Sequence, residues 1–104
     1  MPDRRQSKAL ARLKQLKQAN AMAAQRQAMA AQEQVTDTEL SIAAMDQRVV
    51  EEASAMADYA DTPALGRWAD LMDHRRDGLL QRKAAEQRVA DALAQKAAAA
   101  QLTV

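Results

Sequence analysis

Residues 35–65 read VTDTELSIAAMDQRVVEEASAMADYADTPAL, and an apolar residue recurs in this stretch at every seventh position. The residues at these positions are Val35, Ile42, Val49 and Met56. A seven-residue apolar repeat places one narrow apolar seam along an α-helix, and such a seam is buried by packing against another helix. The stretch therefore predicts a long helix that pairs with a second helix.

A second apolar set with the same spacing follows the turn signal Asp61-Thr62-Pro63. In this set Glu86 replaces one apolar residue, and the other members are Leu65, Met72, Leu79 and Leu93. Asp or Thr caps the first free N–H groups of a helix, and proline fits the first helical position. We therefore predict an all-α fold, in which two long helices form an antiparallel coiled-coil hairpin as a single domain, residues 1–104.

The predicted helix bounds depend on the few residues that break helices. No glycine or proline lies between Pro2 and Pro63. We predict helix 1 over about residues 4–59, a turn at 60–62, helix 2 over about residues 63–99 and a frayed tail at 100–104. Gly78 lies inside helix 2, where it either marks a close approach to a neighbouring helix or is a tolerated weak position.

The two seams also predict which residues face each other in the hairpin. The facing apolar pairs are Met56 with Leu65, Val49 with Met72, and Ile42 with Leu79. The same register aligns four pairs of opposite charge: Glu33 with Arg88, Glu39 with Arg82, Asp46 with Arg75, and Arg48 with Asp73. Flanking charges help to set the orientation of coiled-coil helices, so these matches support the register, although one like-charge match, Glu51 with Asp70, opposes it. Val35 then faces Glu86, whose side chain can extend outward to solvent or pair with Arg82 or Lys83 one turn away.

Composition argues against several function classes. Aromatic residues make up only 2% of the chain, and much of the 48% hydrophobic fraction is alanine, which favours helix but buries little area. With no Cys and a single His, we predict no metal site and no cofactor. Because no second catalytic group converges with His74 and a two-helix rod offers no pocket that excludes water, we predict no enzymatic activity.

The chain has no run of about 18 apolar residues, so the sequence predicts no transmembrane segment. The first 17 residues are charged and lack the apolar core of a secretory signal. We therefore expect a cytoplasmic protein.

The amino-terminal segment is the main candidate for function. Residues 1–17 hold six basic residues against Asp3, whereas residues 33–61 hold eight acidic residues against Arg48. In the predicted register, residues 1–16 extend past helix 2, which leaves their leucines without a partner in the hairpin. We therefore expect this basic helix to dock on another protein. The candidate partner-binding residues are Arg4, Arg5, Lys8, Leu10, Arg12, Leu13, Leu16, Lys17, Met22 and Met29.

Other interpretations of these residues stay open. A basic amphipathic helix can bind nucleic acid or an anionic surface, although the segment has no aromatic residue on which bases could stack. Flexible side chains such as Met22 and Met29 suit an adaptable binding surface or a homodimer. Two hairpins could also bury their off-seam residues as a self-associating four-helix bundle. A solvated helix end is the remaining alternative.

Two stretches carry a family resemblance: RRQSKALARLKQLK at residues 4–17, and residues 68–100, especially LLQRKAAEQRVADALAQKAAAA at residues 79–100. In a hairpin that starts with a long basic helix, they resemble the FliJ-like stalk proteins of flagellar and virulence type III export. The resemblance implies a coiled-coil adaptor that assists protein export and docks by its helix ends on a hexameric export ATPase. It also implies contacts with the export gate and chaperones, and a peripheral place at the inner membrane through that complex. The helix ends near Leu10, Leu13, Leu16 and Leu93 would then meet the ATPase.

Overall fold

The computed structural model describes residues 3–59 and 62–102. It contains helix α1 (Arg4–Ala55), a short 3₁₀ helix (Ala57–Tyr59) and helix α2 (Pro63–Leu102). The two long helices form a helical hairpin, which confirms the predicted fold class. No helix in the described part of the chain is both long enough and apolar enough to cross a membrane.

The helix bounds differ from the prediction at two places. Helix α1 ends at Ala55, and the chain tightens into the 3₁₀ helix, as is common at helix ends, instead of remaining α-helical to about residue 59. Helix α2 begins at Pro63, as predicted, and the N–H of Leu65 donates to the carbonyl of Thr62 at 3.1 Å. Helix α2 ends at Leu102 instead of about residue 99, since its alanine-rich end favours helix. Residues 60–61 of the predicted turn, and 103–104 of the tail, lie outside the described residues.

Tertiary packing divides the chain into two units. Unit 1 comprises Met1–Glu33 and Gln87–Val104, and unit 2 comprises Gln34–Glu86. Each unit therefore contains one stretch of α1 and one stretch of α2.

The predicted seam forms the core of unit 2. Val35 is fully buried and Ile42 is 9% exposed. The other seam residues of this unit are half-buried: Val49, Met56, Leu65, Met72 and Leu79. On α1, Thr38 is buried and Met45 is half-buried between the seam residues, so the inward positions alternate in steps of three and four. This alternation is the pattern expected for a helix in a coiled coil.

Two ion pairs define the antiparallel register of unit 2. Arg76 donates from Nε and Nη2 to the two carboxylate oxygens of Asp46, at 2.8 and 3.2 Å, and Lys83 Nζ lies 3.9 Å from Glu39. The predicted partners, Arg75 and Arg82, each precede the observed partner by one residue. The register is therefore right to within one position, although both predicted pairs are wrong.

The difference arises because the observed partner Lys83 lies nearer the side of α2 that faces α1 than the predicted partner Arg82 does. Lys83 is half-buried, whereas the side chain of Arg82 is 60% exposed, so Lys83 lies closer to the interface. The predicted partner of Arg48 is also wrong, since Arg48 pairs with Glu52 one turn along α1, at 3.9 Å.

A polar layer occupies the position where the second seam lacks an apolar residue. The hydroxyl of Thr38, which is 3% exposed, donates to one carboxylate oxygen of Glu86. Arg82 Nε lies 3.7 Å from the other oxygen, so the predicted pairing of Glu86 with Arg82 is confirmed. The side chain of Glu86 is only 16% exposed, and partners on both oxygens offset the free-energy cost of burying the charge.

Alanine fills the helix interface of unit 1. The buried residues are Ala21 and Ala24 on α1 and Ala90 and Ala97 on α2. Half-buried residues complete the interface: Ala28, Ala31, Leu93 and Ala100. Alanine removes little apolar area from water, so this interface contributes less free energy per residue than the Val and Ile layers of unit 2.

Candidate functional site

The amino-terminal segment of α1 is exposed at every position from residue 4 to residue 20. Leu10, Leu13 and Leu16 are 64%, 50% and 62% exposed. The helix begins directly after Asp3, whose carbonyl accepts the N–H of Ser7 at 3.0 Å. The segment therefore presents three large apolar side chains to solvent from a regular helix.

Helix geometry places two of these leucines on the inner side of α1. Leu10 and Leu13 precede the buried Ala21 and Ala24 by eleven residues, which is three helical turns. They therefore continue, with larger side chains, the face of α1 that packs on α2 in unit 1. Leu16 lies at the edge of this face.

Basic residues surround the leucines in two groups. Lys14 and Lys17 follow Leu10 and Leu13 by four residues, so each lysine lies beside a leucine on the same side of the helix. The other basic residues of the segment lie mainly on the opposite side: Arg4, Arg5, Lys8 and Arg12. A surface that binds the leucines would therefore also meet two ammonium groups.

The two methionines of the candidate set lie on a different side of α1. Met22 and Met29 are 58% and 61% exposed, and each follows an inward-facing alanine by one residue. Met22 comes nine residues after Leu13, which is half a turn away around the helix. The structure thus groups the leucines with the lysines and separates the methionines from them. Their role in binding stays a prediction.

Unit 2 contains a second candidate surface, which the sequence interpretation missed. An open groove of about 620 Å³ lies between α1 and α2. Its apolar lining includes Val49 from α1 and Leu71, Met72 and Leu79 from α2. Leu71 is 46% exposed in this groove. The spacing of Leu71, Arg75 and Gly78 in the sequence was a signal that could have revealed it.

Trp68 forms one edge of the groove and is fixed there by a hydrogen bond. Its indole Nε1 donates to a carboxylate oxygen of Glu52 at 3.1 Å. The other carboxylate oxygen of Glu52 lies 3.9 Å from Arg48, which also lines the groove. The half-buried indole is therefore held against α1 by a polar contact between the helices.

Gly78 lines the same groove without contacting a neighbouring helix. An ideal Cβ built at this position has no described atom within 4 Å, and the same is true of Gly66. The predicted close approach at Gly78 is therefore not formed with a described part of this chain. The space beside Gly78 belongs instead to the open groove.

The ion pair between Asp46 and Arg76 perturbs the pKa of the carboxylate. Hydrogen bonding to Arg76 lowers the pKa of Asp46, and the charge of Arg76 acts in the same direction. Among residues 3–59 and 62–102, no three His, Cys, Asp or Glu side chains are grouped so that they could hold a metal ion. The absence of enzymatic activity stays a prediction.

No protein-family model, curated protein or solved structure matches this chain. The resemblance to the FliJ-like stalk family therefore depends on the sequence pattern alone.

Proposed function

We propose that this protein is a non-enzymatic helical-hairpin adaptor that docks its basic amino-terminal helix, residues 4–17, on a partner protein. The observation that supports this proposal is the exposure of Leu10, Leu13 and Leu16 from a regular helix. Leu10 and Leu13 lie on the face that packs against α2 elsewhere in unit 1. A partner would pack against these leucines as α2 packs against the alanines.

The chemistry of the segment indicates what kind of partner surface fits it. Burying a leucine side chain contributes about 1.5–3 kcal/mol, so the three leucines can form the apolar centre of a docking contact. Lys14 and Lys17 would meet carboxylates at the rim of that contact, and such rim charges mainly increase the association rate. The partner surface is therefore an apolar groove with an acidic edge.

The family resemblance makes a hexameric export ATPase the first candidate partner. The export gate and export chaperones are further candidates. In this role the hairpin would assist protein export and would be held at the inner membrane through the export complex.

Co-purification with the export ATPase tests this proposal. The variant Leu13→Ala/Leu16→Ala is expected to weaken binding by at least about tenfold, because it removes two docking side chains. The matched control, Leu40→Ala/Val50→Ala, truncates two equally exposed side chains in unit 2 and is expected to bind normally. Unchanged binding of the leucine variant would rule out this docking assignment. A third variant, Met22→Ala/Met29→Ala, shows whether the surface extends to the methionines.

Nucleic-acid binding is a second candidate function, because the exposed residues 4–17 carry six basic side chains. Contacts with phosphates release counterions, so this role predicts affinity that falls steeply with salt concentration. A chain that shifts neither DNA nor RNA in gels at low salt would exclude it.

Self-association is a third candidate, favoured by the exposure of Met22, Met29 and Leu40 off the seam. A dimer of hairpins would bury these side chains in a four-helix bundle. A strictly monomeric mass by light scattering would exclude this assembly.

A further inference from the structure

We propose that the groove of unit 2 is a docking site for an acidic amphipathic α-helix of a partner protein. This site is separate from residues 4–17, which belong to unit 1, and it does not depend on the function proposed above.

The lining of the groove forms a second stripe along α2. Trp68, Leu71, Arg75 and Gly78 follow one another in steps of three, four and three, and the same steps lead on to Arg82 and Ala85. Residues at these steps lie on one side of a helix. This stripe runs beside the seam that packs on α1.

A helix that carries two adjacent stripes is built to contact two neighbouring helices, as in helix bundles. In unit 2, α1 packs on the first stripe and contacts the second only at the half-buried Trp68, through Glu52. The rest of the second stripe stays open, since Leu71 is 46% exposed and Arg75 and Gly78 are exposed. The geometry therefore favours a third helix in the groove over an extended peptide.

The shape of the groove suits the side chains of such a helix. Trp68 and Leu71 provide a large apolar surface, whereas Gly78 leaves open space at its Cβ position. Small residues let helix backbones approach closely, so a leucine-sized side chain of the partner can lie over Gly78. Gly66 has the same open space but does not line the groove, so the proposal depends on the groove and not on glycine alone.

The charges at the groove indicate an acidic partner. Arg48 from α1 and Arg75 from α2 line it, and the Arg48 side chain is 77% exposed. Of the described residues that line the groove, one is acidic, Glu52. Its carboxylate already accepts the hydrogen bond from Trp68. Opposite charge across an interface favours binding and suppresses wrong partners.

The spacing of the arginines matches an amphipathic helix. Arg75 and Arg82 are seven residues apart, which is two helical turns, and the second stripe contains no acidic residue. A carboxylate on the flank of a partner's apolar seam would pair with Arg75, whereas Arg82, whose Nε lies 3.7 Å from Glu86, could meet a second carboxylate only with its other guanidinium nitrogens. Arginine pairs well with carboxylates because it can donate two parallel hydrogen bonds.

The experiment uses Trp68 as the reporter, because it is the single tryptophan of the chain and lines the groove. The probe is a synthetic peptide of about three heptads without tryptophan, with leucines along its seam and glutamates on its flanks. A second peptide keeps the leucines and replaces each glutamate with lysine. We expect the glutamate peptide to shift the Trp68 emission to shorter wavelength with saturation, and the lysine peptide to bind at least about tenfold more weakly.

Matched variants of the full chain locate the site. Gly78→Leu fills the groove and is expected to weaken binding of the glutamate peptide by at least about tenfold, whereas Gly66→Leu, the same substitution outside the groove, is expected to bind normally. Arg75→Glu is expected to reverse the preference between the peptides, whereas Arg67→Glu, an exposed arginine outside the groove, is not. Circular dichroism verifies that each variant keeps its helices.

Three results would overturn the proposal. The first is equal binding of the two peptides or a preference for the lysine peptide, and the second is the same loss of binding in Gly78→Leu and Gly66→Leu. The third is a wild-type dimer that Gly78→Leu converts to a monomer in sedimentation, because a second copy would then occupy the groove. None of these results affects docking through residues 4–17, which the leucine variant tests separately.

Discussion

Thr38 and Glu86 form the polar layer of unit 2, where the Thr38 hydroxyl donates a hydrogen bond to the Glu86 carboxylate. Thr38→Val keeps the shape of the side chain but removes the donor to the nearly buried Glu86 carboxylate. Leaving a buried polar group without its partner costs about 1–3 kcal/mol, so we expect the free energy of unfolding to fall by that amount. Urea denaturation followed by circular dichroism measures the change.

The control replaces both polar partners. Thr38→Val/Glu86→Leu completes the apolar repeat and leaves neither group unpaired, so we expect it to be at least as stable as the wild type. A double variant that is no more stable than Thr38→Val alone would show that the hydrogen bond is not what holds this layer together.

Asp46 and Arg76 give a prediction about pH. The hydrogen bond from Arg76, and then its charge, hold the pKa of Asp46 below the usual aspartate value. Because the pKa is lower in the folded state, this pair contributes stability above the unfolded-state pKa and loses it as the pH falls through the folded-state pKa. The contribution is small, since both side chains are almost half exposed.

An NMR titration of the Asp46 carboxyl group measures this pKa directly. Arg76→Gln is expected to raise it, whereas Arg75→Gln, at the partner that the sequence predicted, is expected to leave it unchanged. A rise in the Arg75 variant alone would mean that the sequence had identified the right arginine.

At the scale of the helix, the two glycines of α2 are weak points. Both have open space at the Cβ position, and neither has a positive φ angle. Gly66→Ala and Gly78→Ala are each expected to raise the free energy of unfolding by about 0.4–1 kcal/mol, because alanine restricts the unfolded chain and favours helix. Urea midpoints measure this gain. A loss of stability in either variant would contradict the open space that the structure shows.

The turn signal Asp61-Thr62-Pro63 predicted the start of α2 at Pro63, and the seven-residue spacing predicted both helices and the burial of Val35 and Ile42. The spacing was not sufficient to predict the ion pairs. A seam identifies the face of a helix but not which of two neighbouring flank residues, such as Arg82 and Lys83, lies nearer the other helix. The long side chains of both residues can reach a carboxylate on α1. The sequence therefore predicted the pairing only to within one residue.

The groove was missed for a related reason. The second stripe of α2 contains Trp68 and Leu71 but also Arg75, Gly78 and Arg82, so it does not look apolar in the sequence, and the structure was needed to show that it borders an open groove. The exposed helix of residues 4–17 was easier to predict, because its leucines are unusual among so many charges. However, a row of exposed leucines indicates only that the partner surface is apolar. Many different proteins have such a surface, so the leucines do not identify the partner.

At the scale of the whole chain, the buried side chains are unevenly distributed. Unit 2 buries Val35 and Ile42, the interface of unit 1 buries mainly alanine, and residues 4–16 are exposed. Local opening requires less free energy where less apolar area is buried. We expect amide hydrogens at residues 35–49 to exchange most slowly, those at 21–31 faster, and those at 4–16 fastest. Native-state hydrogen exchange measures this order, and uniform protection along α1 would contradict it.

The alanine interface of unit 1 has a mechanical consequence. In the predicted register Ala24 faces Ala97, but a translation of α1 along α2 by one heptad would bring Ala31 opposite Ala97, with contacts of the same size. Methyl groups of equal size distinguish these positions poorly, so we expect the alignment in unit 1 to be set by the core and ion pairs of unit 2, because α1 and α2 each run without a break through both units. The chain has no native cysteine, so the pairs Ala24→Cys/Ala97→Cys and Ala31→Cys/Ala97→Cys can each be crosslinked cleanly. Crosslinks in both, slower in the second, would show that the helices of unit 1 can slide, whereas a crosslink in the first alone would show a fixed alignment.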